Sequence, residues 1–91
     1  MRVQIGPIRY KVVETDIASI CGDINTVECR IRLNKGLKPD IRRVTLWHEV
    51  IHGILFAAGQ TDHDEVLTDA IAHGIVQVLR DNPILRGPID G

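Results

Sequence analysis

The sequence predicts an α+β domain: a small three-stranded, mostly antiparallel sheet packed on two helices. Two observations carry that expectation. The first third alternates apolar and polar residues with a period of two, most clearly where Val27, Cys29, Ile31 and Leu33 interleave with Glu28, Arg30 and Arg32. Such a strand puts one face on a core and the other in water. From Pro39 onward the alternation gives way to two long apolar segments, each opened by Pro or Asp and closed by Gly or Pro, the punctuation of helices.

Taken in order, Ile8–Glu14 is rich in β-branched residues and follows a Gly-Pro break, so it reads as the first strand. Ile20–Ile24 and Val27–Leu33 read as a hairpin about Asn25-Thr26, ended by Asn34-Lys35-Gly36. The first helix is expected from Pro39 to about Ala58. Pro fits its first turn, Asp40 favours the positive end of its dipole, and Gly59 stands in the usual stop position. Between Val44 and Ala58 only Thr45, His48, Glu49 and His52 are neither apolar nor glycine, which predicts burial on most sides. The second helix is expected from about Asp62 to Asp81, stopped by Asn82-Pro83, with Asp62 as N-cap and Glu65 completing a capping box. Residues 1–82 are expected to form the domain and 83–91 a tail.

Ninety-one residues suffice for one modest core, and 44% hydrophobic with 25% charged residues is an ordinary globular composition. A net charge of −1 provides no overall basic field, so nucleic acid is not an expected partner. The loose cluster Arg30, Arg32, Lys35, Lys38, Arg42 and Arg43 reads as a solvated face. No apolar run approaches the roughly 18 residues of a membrane span, and Met1–Pro7 has no secretory h-region. A cytoplasmic setting follows as an expectation, with Cys21 and Cys29 reduced and buried.

The chemistry concentrates in His48-Glu49-Val50-Ile51-His52. Two histidines four apart project from one helical face and can reach one metal ion. Glu49, between them in sequence but further round the helix, can sit beside the metal and take a proton from a water that the metal polarises. An ionisable cluster inside an apolar helix has to be paired, neutralised or metal-bound. A catalytic zinc, one per chain, needs a third protein ligand and leaves one position to water. The second helix offers Glu65, Asp69 and His73 on one narrow stripe with Arg80, and spacing alone leaves the choice open.

With these residues in view, the chain resembles the gluzincin metallopeptidases, and more closely the small ImmA/IrrE-like branch found in phages and mobile elements. The resemblance covers roughly residues 20 to 82. It rests on the order of strands, then Thr45-Leu46-Trp47 running into His48-Glu49-Val50-Ile51-His52, then Glu65-Val66-Leu67-Thr68-Asp69-Ala70-Ile71-Ala72, which fits the E-x-x-x-(N/D)-x-x-A pattern. It implies a minimal zincin core, a zinc ion held by His48, His52 and Glu65, Glu49 as general base, and Asp69 as the partner that holds a ligand histidine. The implied activity is hydrolysis of a peptide bond in a peptide or protein substrate. Leu55 stands where a metzincin has glycine, and no third histidine follows, which sets that relative aside. The interval from His52 to Glu65 is short, and only Tyr10, His63 and His73 are available as oxyanion donors or alternative ligands. Two other readings follow: a catalytically silent, zinc-stabilised regulatory or protein-binding module, or a nucleic-acid accessory using the Arg/Lys cluster.

Overall fold

The computed structural model describes residues 1–87 and is α+β, with a four-stranded mixed sheet and two helices. The strands are β1 (Arg2–Ile5), β2 (Ile8–Thr15), β3 (Gly22–Asn25) and β4 (Arg30–Asn34), and the helices are α1 (Pro39–Ala57) and α2 (Glu65–Asp81). A short 3₁₀ turn, Pro83–Arg86, follows within the expected tail. The spatial strand order is β1-β2-β4-β3.

Three strands in a mostly antiparallel sheet is therefore a miscount, for two physical reasons. Gly6, at φ +56°, makes the Gly6-Pro7 break a tight hairpin turn, so the four residues before it pair antiparallel with β2 from Arg2↔Lys11 to Ile5↔Ile8. Secondly, β4 inserts between β2 and β3 and runs parallel to β2, with Val12 opposite Ile31. The connection from β2 to β3 arches over the end of β4, and Asn34 fastens it. Its amide donates to the carbonyls of Ile17 (2.7 Å) and Ile20 (2.8 Å), and its backbone N–H donates to Cys21.

The β3–β4 hairpin forms with a longer turn than expected. Asn25 Oδ1 accepts the N–H groups of Val27 and Glu28, and Cys29 turns left-handed at φ +54°. The expected alternation consequently begins only at β4. Ile31 and Leu33 are fully buried, while Val27 is 91% exposed. Cys29 is only partly buried and Cys21 is exposed, correcting the expectation of two buried thiols; both are free.

The core lies between one sheet face and α1, where Ile5, Tyr10, Val12, Ile31 and Leu33 pack with Val50, and Leu46 and Trp47 close its edge. Helix α1 ends as expected: the N–H of Gln60 donates to Leu55, that of Gly59 donates to Phe56, and Gly59 adopts φ +82°, the geometry of a Schellman stop. Gly53, directly after His52, lets α1 settle on the sheet, because a Cβ there would stand 2.7 Å from Ile5 Cδ1. Helix α2 packs on α1 and the 3₁₀ turn and touches no strand. Both helices are less enclosed than their apolar sequences imply, with Ile41, Ile54, Val66, Leu67 and Ile71 all exposed. No helix among the described residues is long and apolar enough to cross a membrane.

Candidate metal centre

Helix α2 begins two residues later than the sequence suggests, and that shift changes what Glu65 can do. Asp64, not Asp62, is the N-cap; its carboxylate accepts the Leu67 N–H at 3.0 Å. Glu65 is the first helical residue rather than the third, so its carboxylate takes no part in a capping box and turns toward α1.

There it meets both histidines of the motif. Glu65 Oε2 lies 3.1 Å from His48 Nε2, and Glu65 Oε1 lies 3.1 Å from His52 Nε2. The two Nε2 atoms are themselves 3.1 Å apart. His48, His52 and Glu65 thus converge as one group able to hold a metal ion. Donors on a tetrahedral zinc with bonds of about 2.0–2.1 Å stand about 3.3 Å apart, so the spacing fits that ion closely.

The other ring nitrogens decide which atoms face the centre. His63 Nε2 meets the carbonyl oxygen of Gln60, which can only accept, so this nitrogen carries the proton. In a neutral His63 ring, Nδ1 is then an acceptor, and His52 Nδ1, 2.7 Å away, donates to it. His48 Nδ1 donates to Asp69 Oδ1 at 3.2 Å. Both protons are therefore committed outward, leaving lone pairs on His48 Nε2 and His52 Nε2. Two lone pairs and a carboxylate at mutual distances of 3.1 Å repel one another unless a cation lies among them. Protonation of His52 would relieve this, but burial lowers its pKa, against the opposing pull of Glu65. The residues present fit a zinc ion on donor chemistry as well as spacing.

Glu49 stands beside this group on the more buried side of α1. It is 6% exposed, and burial foremost, with Asp23 and Glu65 adding to it against His48, pushes its pKa up to about 7. It lines an open cleft of about 430 Å³ together with Asp23 and Ile24 of β3, His52, Phe56 and His63. β3 is an edge strand, so its free backbone edge borders the cleft. A larger groove of about 620 Å³ opens elsewhere between α1 and α2. It includes Asp69 and His73 but neither histidine of the motif nor Glu49, which leaves the smaller cleft as the one with the chemistry.

The remaining candidates separate clearly. His73 is exposed and lies behind Asp69, 3.5 Å from its Oδ2, outside the converging group. Tyr10 is 1% exposed within the core, where burial raises its pKa, and it does not join the cleft. His63 stacks on His52 with ring centroids 4.9 Å apart and is flanked by Phe56. Its role toward His52 has no counterpart in the sequence reading, which considered it only as an oxyanion donor or ligand; it sits in a loop where no periodicity fixes its direction. No family model matches the chain, and neither a curated protein nor a solved structure matches it.

Proposed function

We propose that this chain is a zinc-dependent metallopeptidase-type domain of the gluzincin kind, acting in the cytoplasm on a peptide or protein substrate. The observation that carries the reading is the convergence of His48, His52 and Glu65 with both histidine lone pairs turned inward, beside a buried carboxylate on the next residue of the helix. His48, His52 and Glu65 would hold zinc, which when bound supplies Lewis-acid polarisation of a carbonyl and of water. Asp69 and His63 hold the two imidazoles in the ligating tautomer. Glu49, with its pKa near neutrality, is suited to take a proton from water and return it to the leaving amine. The free edge of β3 can hold an extended peptide by main-chain hydrogen bonds.

One observation favours the second reading, a catalytically silent zinc-stabilised regulatory or protein-binding module. Among the described residues none of the three candidate oxyanion donors is free to face Glu49 across the cleft: Tyr10 is in the core, His73 is behind Asp69, and His63 is engaged by His52 and Gln60. The two readings part at Glu49→Gln. Under the first, the variant keeps zinc and loses peptide cleavage; under the second, wild type and variant bind zinc alike and neither cleaves a diverse peptide library. Retention of wild-type cleavage by the variant would exclude Glu49 as the base.

A further inference from the structure

The sheet face that α1 leaves uncovered carries a charge pattern with no part in the metal site. In β1 and β2, Arg2, Gln4, Arg9 and Lys11 are exposed, while Ile5, Tyr10 and Val12 are buried against the helix. In β4, Arg30 and Arg32 alternate with the fully buried Ile31 and Leu33. The register then sets Arg2 opposite Lys11 and Lys11 opposite Arg30. Three cations stand in one row across three neighbouring strands, about 4.8 Å from strand to strand. Arg9 and Arg32 extend the row to either side on the same face.

Two carboxylates answer these five cations. Glu28 pairs with Arg30 at 2.7 Å, and Asp23 pairs with Arg32. Arg2, Arg9 and Lys11 have no ion-pair partner among the described residues. Like charges directly opposite one another destabilise a sheet, and this chain concentrates them on one face although its net charge is −1. The basic cluster visible in the sequence shares only Arg30 and Arg32 with this face, and the rest of it is dispersed in space. Arg42 pairs with Glu14 on the helix side of the sheet, and Arg43 lines the groove between the helices.

The character of the face selects the partner. Of the strand residues on it only Val13 is apolar, and protein interfaces draw most of their energy from buried aromatic or apolar anchors. No aromatic ring lies there to stack on a base: Tyr10 points into the core, and Trp47 and Phe56 belong to α1. What remains is a flat lattice of guanidinium and ammonium groups, suited to phosphate oxygens. We infer that the open sheet face binds the phosphate backbone of nucleic acid, without base readout. The overall charge gives no sign of this, because Asp40, Glu49, Asp62, Asp64, Glu65, Asp69 and Asp81 lie in the two helices or the loop that joins them and offset it.

The test is a fluorescence-anisotropy titration of the full chain with a labelled mixed-sequence DNA duplex at 50 and 200 mM NaCl. Three unpaired cations give a slope of log affinity on log salt near −2.7, hence about 40-fold weaker binding at the higher salt. The double variant Arg9→Gln/Lys11→Gln should lower the slope to about −0.9 and weaken binding at least tenfold at 50 mM, while zinc binding and Tm stay at or above wild type. Arg42→Gln should leave the DNA affinity unchanged. Failure of wild type to bind the duplex at 50 mM would overturn the inference, as would full binding by the double variant. Displacement of the duplex by poly-glutamate at equal charge concentration would also overturn it, in favour of an acidic protein partner.

Discussion

Helices α1 and α2 are nearly equal in length and both are largely apolar, yet they are anchored very differently. Helix α1 packs on the sheet on one side and α2 on the other, and it buries Val50, Ile51, His52 and Gly53 in succession. Helix α2 rests on α1 with Thr68, Ala72 and Val76 as its buried residues, and leaves Val66 81% and Leu67 57% exposed. Two of the converging groups, His48 and His52, come from the well-anchored helix, and the third, Glu65, comes from the first residue of the weakly anchored one. The contrast shows what a metal would do mechanically: it would brace α2 to a scaffold that stands without it.

Metal removal is accordingly the largest expected perturbation. Zinc at 1,000 times its dissociation constant stabilises the folded state by about 4 kcal/mol. On chelation, amide exchange should accelerate first in α2, and much less in β2, β4 and the middle of α1. His52→Ala should reproduce this pattern without chelator. Equal acceleration in both helices would remove the distinction between them.

Next come the residues of α2 that face the site. Glu65→Ala should cost the most zinc affinity in competition titrations against a chelator. Asp69→Asn should cost about 10–100-fold, the usual effect of a partner that orients a ligand imidazole. His73→Ala should cost least, since His73 touches the site only through Asp69. If His73→Ala proved the most damaging, α2 would have to hold the metal deeper along its length.

Glu49 sharpens the comparison from the α1 side, because its effect is confined to the anchored helix. Its native pKa of about 7 lies above the ordinary 4.5, so the unfolded chain releases the proton first. Stability of the metal-free protein is therefore retained below about pH 4.5 and declines as pH rises toward 7, by about 3 kcal/mol at most. Glu49→Gln should abolish that decline, read from urea melts at pH 5 and pH 8 in chelator. The smallest effect is expected at the α2 cap. Asp64→Ala should cost about 1 kcal/mol, seen as lost protection in the first turn of α2 and as weaker zinc binding through Glu65.

The sequence made the α1 half of the site legible and the α2 half less so, for definite reasons. The spacing of His48 and His52 fixes a shared face once the segment is helical, and the apolar run with its Gly59 stop left little doubt about the helix. Glu65 and Asp69 came from a pattern implied by resemblance, and the capping box suggested by Asp62 and Glu65 would have occupied the very carboxylate that turns to the histidines. Both Asp62 and Asp64 suit an N-cap; the reversal after Gly59 selects the later one. In the sheet, the four residues of β1 were too short to outweigh the neighbouring Gly-Pro break. The parallel pairing of β2 with β4 depends on the arch that Asn34 fastens, a contact across 17 residues that no local period reveals. The basic row on the open face is invisible for the same reason, since it exists only once the register is set.

The central claim is the ligand set, and X-ray absorption spectroscopy at the zinc edge tests it most directly. Protein loaded with one equivalent of zinc should give a shell of nitrogen and oxygen donors at about 2.0–2.1 Å, with the multiple-scattering signature of two imidazoles that falls to one in His52→Ala. A sulfur shell at about 2.3 Å, drawn from Cys21 or Cys29, or failure to retain zinc at all, would contradict the account.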